Sequence, residues 1–177
     1  ISNLGIPGEK SNAGSQRFKA ALASSPQAKT IFLMHGGNNW VNAFRSSYCN
    51  RICDPLEVDN RYNAVGDDLR EMYDDAHSMG RKVVFMTYWP SSPKKCDRYE
   101  PKNFASYQIH LARLNAEIVE VAEEKGAYVI HLDDLRDFGD DSDNFFDCLH
   151  PSGKGYGIIA NRILSERHAW EPKTTLF

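Results

Sequence analysis

An aspartate and a histidine stand three residues apart near the C-terminus, in Asp147-Cys148-Leu149-His150-Pro151-Ser152-Gly153. A carboxylate this close can accept the Nδ1–H of His150, fix its tautomer and leave Nε2 free to take a proton from a nucleophile. The same residues admit a plainer role, with Asp147 capping the last helix and His150 lying on the surface. A second cluster, His35-Gly36-Gly37-Asn38-Asn39, directly follows the apolar run Thr30-Ile31-Phe32-Leu33-Met34. A strand ending in glycines and an asparagine sets backbone N–H groups and a side-chain amide at its C-terminal edge, where they can face an oxyanion. Tight-turn glycines and a capping asparagine are the alternatives there. A third cluster, Asn3-Leu4-Gly5-Ile6-Pro7-Gly8, opens the chain.

Positioning these groups falls to alternating elements. Residues 11–25 read as a helix, and residues 30–34 as a short buried strand. Apolar residues at Val65, Leu69, Met72 and Ala76 give helical spacing within residues 60–79, with Gly80 as the stop. Residues 82–88 form a second buried strand closed by Trp89-Pro90. Leu111, Leu114, Ile118 and Val121 make one stripe of a helix over residues 104–125, stopped by Gly126. Residues 127–132 read as a third strand and 155–167 as a final helix. Strands alternating with long helices predict βαβ units: an α/β fold with a parallel sheet and helices on both faces, in a single domain over residues 1–177. Ligands in such sheets bind beyond the carboxyl ends of the strands. The Asn38 turn, the Trp89 loop and the Asp147 loop all follow strand ends, so they should share one rim.

The three clusters in this order resemble the SGNH (GDSL-type) serine hydrolases and esterases, over residues 3–157. Asn3-Leu4-Gly5-Ile6-Pro7-Gly8 looks like the family's glycine block, Gly36-Gly37-Asn38 like its asparagine block, and Asp147-Cys148-Leu149-His150 like its Asp-x-x-His block. The resemblance implies a flavodoxin-like three-layer α/β/α sandwich. It also implies catalytic roles for Asp147 and His150, and an oxyanion hole drawing on Gly8 and Asn38. Asn39 departs from the pattern, which has Asp after its Asn. The larger departure is the serine block, a Gly-Asp-Ser at the end of a first strand, for which only Ile1 and Ser2 stand ahead of Asn3. Gly66-Asp67-Asp68 and Gly139-Asp140-Asp141-Ser142 follow no apolar strand, and Ser11 and Ser15 read as capping or solvent-exposed residues of a helix. No nucleophile is assigned. In the family's strand order the absent first strand belongs inside the sheet, which predicts an incomplete chain whose strand and Ser lie on an N-terminal fragment.

The chain has 177 residues, 41% of them hydrophobic, enough for a sizeable core. Its formal net charge of −3 gives no electrostatic case for nucleic acid. No apolar run approaches transmembrane length. Cysteines stand at 49, 53, 96 and 148, in no Cys-x-x-Cys pair, which argues against a metal site. All four fall in predicted rim loops, and an even number of loop cysteines suggests disulfides, with Cys49–Cys53 and Cys96–Cys148 the preferred pairing. That usage favours a secreted or periplasmic protein.

Seven Asp fall between Asp133 and Asp147, and a solvated loop explains them better than calcium. His77, His110 and His168 read as surface or satisfied structural residues, and His35, beside the oxyanion turn, is the histidine to watch. Tyr88, Trp89 and Tyr99, with Lys94-Lys95, are candidates for lining a cleft. What the resemblance implies is an ester hydrolase of Ser-His-Asp mechanism, needing no metal or organic cofactor and acting on a small ester or acylated carbohydrate. Its alternatives are a lipase or thioesterase of the same family, an inactive binding module, and one fragment of a two-chain enzyme.

Overall fold

The computed structural model describes residues 2–45, 55–95 and 101–171, with side chains at 2–41, 59–95 and 107–171. Three parallel strands, β1 (Thr30–Leu33), β2 (Lys82–Met86) and β3 (Tyr128–Ile130), form a sheet in that order. Leu33 lies opposite Phe85, and Phe85 opposite Val129. The helices are α1 (Ser11–Ala23), α2 (Gly37–Arg45), α3 (Pro55–Ser78), α4 (Pro101–Glu124), α5 (Gly153–Ser165) and α6 (Arg167–Trp170).

Side chains alternate across a pleated strand, so one strand feeds two cores. On β2, Val83 and Phe85 enter a core built with Leu22 of α1, Val65, Leu69 and Met72 of α3, and Leu111, Leu114 and Ile118 of α4. Val84 enters the other, with Ile130, Leu132, Phe138, Phe145, Ile159 of α5 and Trp170 of α6. The three-layer α/β/α reading therefore holds.

The boundaries differ where side chains replace the ladder. β2 and β3 stop short of Tyr88 and Leu132: after the Thr87 N–H donates to the Ile130 carbonyl at 3.2 Å, side chains take over the pairing. Thr87 Oγ1 accepts the Leu132 N–H at 2.8 Å, and Asn115 serves Tyr88 on both sides, as described below. Helix α2 was not anticipated as an element, since it is short and opens on Gly37, Asn38 and Asn39, which read as a turn. α3 and α4 begin earlier than their periodicity suggests, each at a proline, a residue tolerated in a helix's first turn.

One expectation is corrected. Ser11 and Ser15 are buried, not exposed; Ser11 Oγ donates to Asp68 at 2.6 Å and Ser15 Oγ donates to Glu71, joining α1 to α3. Among the strands present, β2 is paired on both sides. Among the described residues β1 and β3 are the two edge strands, and on β1 Phe32 is 39% exposed and meets the edge of Trp170 with ring centroids 4.9 Å apart.

Candidate active site

The acid–base pair sits at the tip of a short hairpin. Phe146 N–H donates to the His150 carbonyl at 2.8 Å and Ser152 N–H to the Asn144 carbonyl at 2.8 Å, with Phe145 and Pro151 bridged between them. Only residues 147–149 are left to turn the chain. Asp147 makes that turn: its Oδ1 accepts the Leu149 N–H at 2.8 Å and the His150 N–H at 2.7 Å, an Asx-type arrangement. Its second oxygen, Oδ2, lies 2.8 Å from His150 Nδ1. One carboxylate thus sets both the backbone and the ring, and Nε2 is the nitrogen left for chemistry. Burial raises the Asp147 carboxyl, but the His150 N–H and ring and the Leu149 N–H outweigh it and hold the group below its ordinary value. The plainer reading, Asp147 as cap of the last helix, fails because Ser152 caps α5, its Oγ accepting the Gly155 N–H at 3.3 Å.

The asparagine turn is built from close approaches. Gly36 has φ +102, and a Cβ there would meet Leu114 at 2.8 Å and Val65 at 2.9 Å, so both the conformation and the packing demand glycine. A Cβ on Gly37 would meet the Tyr88 hydroxyl at 2.8 Å, where its own N–H instead donates to Tyr88 Oη at 2.9 Å. Burial pushes the Tyr88 phenol up to about 12, with the Gly37 N–H opposing, so it stays a neutral hydroxyl at ordinary pH. Asn38 follows within the first turn of α2, at the positive end of the helix dipole, where developing negative charge is favoured.

Tyr88 is held in turn by buried Asn115 of α4, whose Oδ1 accepts the Tyr88 N–H at 2.8 Å and whose Nδ2 donates to the Tyr88 carbonyl at 2.9 Å. Trp89 Nε1 donates to the Leu149 carbonyl at 3.0 Å, tying the β2 loop to the acid–base hairpin.

These elements form a cavity of about 170 Å³ lined by Asn38 and His150 together with Trp40, Tyr88, Trp89 and Tyr156. Ser91 also lines it, buried and with a hydroxyl that has no hydrogen-bond partner among the described residues. The common rim predicted from topology is therefore real for the Asn38, Trp89 and Asp147 loops. Gly8 is not brought to the cavity wall. It lies in an exposed turn where the Glu9 N–H donates to the Ile6 carbonyl at 3.2 Å, and its φ of +79 after Pro7 is that of a type II turn.

Of the cleft candidates, Tyr88 and Trp89 line the cavity, Lys94 Nζ reaches the Asp140 carbonyl at 2.8 Å, and Tyr99 lies outside the described residues. Asn115, Trp40 and Tyr156 were missed. Asn115 had left a signal, a polar residue between Leu111 and Ile118 on the buried stripe of α4.

His110 is a buried structural residue against the Tyr62 hydroxyl at 3.0 Å, and His77 stacks on Tyr73 at the surface. Among the described residues no group of three or more His, Cys, Asp or Glu is arranged to hold a metal. The Asp141 of the acidic loop pairs with Lys154 at 2.7 Å instead. Cys148 is buried and is not a free thiol; Cys49, Cys53 and Cys96 lie outside the described residues. No helix among the described residues is long and apolar enough to cross a membrane.

Comparison with known proteins shows the family and the fold. The model of the GDSL-like lipase/acylhydrolase family matches residues 1–158. The uncharacterized protein YpmR of Bacillus subtilis (strain 168) is 22% identical over 173 residues, 92% of this chain; the chain spans 64% of that relative's length. Among solved structures, the lipase/acylhydrolase from Enterococcus faecalis is similar with a TM-score of 0.61 at 21% identity, covering 98% of this chain and 78% of that one. An acetylxylan esterase from Geobacillus stearothermophilus, Axe2, is similar with a TM-score of 0.67 at 15% identity, covering 94% and 71%.

Proposed function

The chain belongs to the GDSL-like lipase/acylhydrolase family, and from that premise we propose that it supplies the acid–base pair and oxyanion donors of a carboxylic ester hydrolase. The observation that carries the reading is His150, its Nδ1 at 2.8 Å from Asp147 Oδ2 and the residue lining the same cavity as Asn38. A serine hydroxyl attacks the acyl carbonyl while His150 Nε2 takes its proton. The tetrahedral oxyanion is held by Asn38 Nδ2 and the serine's own N–H. His150 then returns the proton to the leaving alcohol, and water releases the acyl group by the same route. Asp147 orients and stabilises the imidazolium throughout. The chemistry needs no metal or organic cofactor.

No serine hydroxyl among the described residues bonds His150, and those of Ser11 and Ser15 are committed to Asp68 and Glu71. As the order of the family's blocks implies, the nucleophile is proposed to lie on a segment ahead of the Asn3–Gly8 cluster, on a strand beside β1. The small cavity suits a short acyl or acetyl group, and its aromatic wall suits a sugar ring on the alcohol side. An O-acetylated carbohydrate meets both conditions. Cysteine usage supports a secreted or periplasmic protein with Cys96–Cys148 and Cys49–Cys53 bridges, and four free thiols on titration of the denatured, unreduced protein would refute the pairing.

The deciding experiment treats the protein from its natural source with a fluorophosphonate and locates the adduct by peptide mass spectrometry. An adduct on a serine outside these residues is the expected result. An adduct on a serine within them keeps the chemistry and overturns the assignment of the nucleophile. Folded protein that takes no label is a binding module instead.

A further inference from the structure

The residues flanking the two candidate oxyanion donors are paired with one another. Glu9, next to Gly8, places Oε2 3.3 Å from His35 Nε2, and His35 Nδ1 accepts the Gly36 N–H at 3.0 Å. Since Nδ1 must be bare to accept, the proton sits on Nε2 and points at Glu9. Arg17 fixes that carboxylate through two bonds of 2.5 and 2.6 Å and also donates to the Leu4 carbonyl at 2.8 Å. Gly14 makes room, because a Cβ there would meet His35 Nε2 at 2.3 Å.

The second pair joins Ser11, further along from Gly8, to Asn39, on the other side of Asn38 from His35. Asn39 Oδ1 accepts the Ser11 N–H at 2.8 Å, and Asn39 Nδ2 donates to Ser11 Oγ at 3.0 Å. Ser11 Oγ spends its one proton on Asp68 at 2.6 Å, so it can only accept from residue 39. An aspartate at that position, the residue the family pattern has there, would present a second acceptor to the same hydroxyl. The departure at Asn39 is what the Ser11–Asp68 contact requires.

We propose that Glu9–His35 and Ser11–Asn39 form a double staple that fixes the segment carrying Gly8 against the turn carrying Asn38. His35 and Asn39 are then positioning residues for the oxyanion hole. The consequence for rate rests on the ester-hydrolase reading above; the staple itself does not.

The test uses Asn39→Asp and His35→Leu, read by backbone amide NMR of the isotopically labelled protein and by ester turnover. Each variant is expected to shift the amide resonances on both sides of the staple, Gly8 and Glu9 as well as Gly36 and Asn38. Each is expected to lower kcat roughly 10-fold with KM little changed, since small misplacements at a reacting centre carry large rate penalties. His35→Gln, which retains a donor toward Glu9, should lose less than His35→Leu, and it stands in if the leucine variant fails to fold. A folded Asn39→Asp protein whose Gly8 and Glu9 amides do not move overturns the staple. If the wild-type protein turns over no ester while the amides move as expected, the hydrolase reading falls and the staple stands.

Discussion

The two walls of the cavity are held in opposite ways. Asn38 stands on a turn packed against Val65 and Leu114, stapled to the N-terminal segment and backed by Tyr88 and Asn115 through buried hydrogen bonds. Asp147 and His150 stand on a hairpin tip, with side chains 47% and 69% exposed, and a single carboxylate organises them. Oxyanion donors act by being fixed before charge develops, so rigidity is their function. A base must meet solvent and a leaving group in turn, so its ring needs one correct tautomer more than a closed surround. The contrast predicts that changes on the hairpin will cost activity and spare stability, while changes behind the turn will do the reverse.

The largest effect is expected at the hairpin. On the proposed mechanism His150→Ala removes the base and should reduce ester turnover by roughly 10⁴-fold or more, with Asp147→Asn close behind because the ring loses its tautomer. The exposed His150 ring bears little on folding, so the melting temperature of His150→Ala should stay near wild type. A variant that lost activity and unfolded together would break the contrast. Asn38→Ala comes next, at about 10²–10³ in kcat with KM largely kept. Equal activity in His150→Ala and Asn38→Ala would end the esterase assignment.

Behind the turn the order reverses. Asn115→Leu leaves the Tyr88 N–H and carbonyl without their partner in a buried setting, a loss of about 1–3 kcal/mol. Calorimetry should show a melting temperature lower by on the order of 5 °C. The activity loss should be smaller than for Asn38→Ala, because Tyr88 only backs the turn. Unchanged stability in Asn115→Leu would mean that the turn is held by its packing alone.

How much of this was legible in the sequence follows from the same contrast. Asp147 and His150 are three residues apart, and a local turn can join them without help from the rest of the chain, so their spacing carried the message. The glycines before Asn38 announced a turn, and Val83, Val84 and Phe85 announced a buried strand. What supports the turn lies far away along the chain: Asn115 is 27 residues from Tyr88, and Ser11 is 28 from Asn39. Long-range polar pairs leave no periodicity, and Ser11 reads as an exposed helical serine until its partners are in view. Gly8 shows the reverse failure, since its block was legible by resemblance while its φ of +79 is accounted for by the Pro7-Gly8 turn alone.

The smallest effect sharpens the contrast through pH. Arg17 holds the Glu9 carboxyl below its ordinary value, and Asp147 is held low by its backbone and ring donors. A carboxyl depressed in the folded state contributes stability that is full above its ordinary value of 4.5 for Glu9 and 3.8 for Asp147. That contribution fades as pH falls through the lower folded value. The melting-temperature differences between wild type and Glu9→Gln, and between wild type and Asp147→Asn, should therefore be constant at neutral pH and shrink below these values. Glu9 is the more enclosed group, with a side chain 8% exposed against 47% for Asp147, so solvent screens its ion pair less. Its difference should be the larger of the two across the whole range. Should Asp147→Asn prove the more destabilising, the hairpin would be a structural anchor as well as a source of protons, and the division between the two walls would not hold.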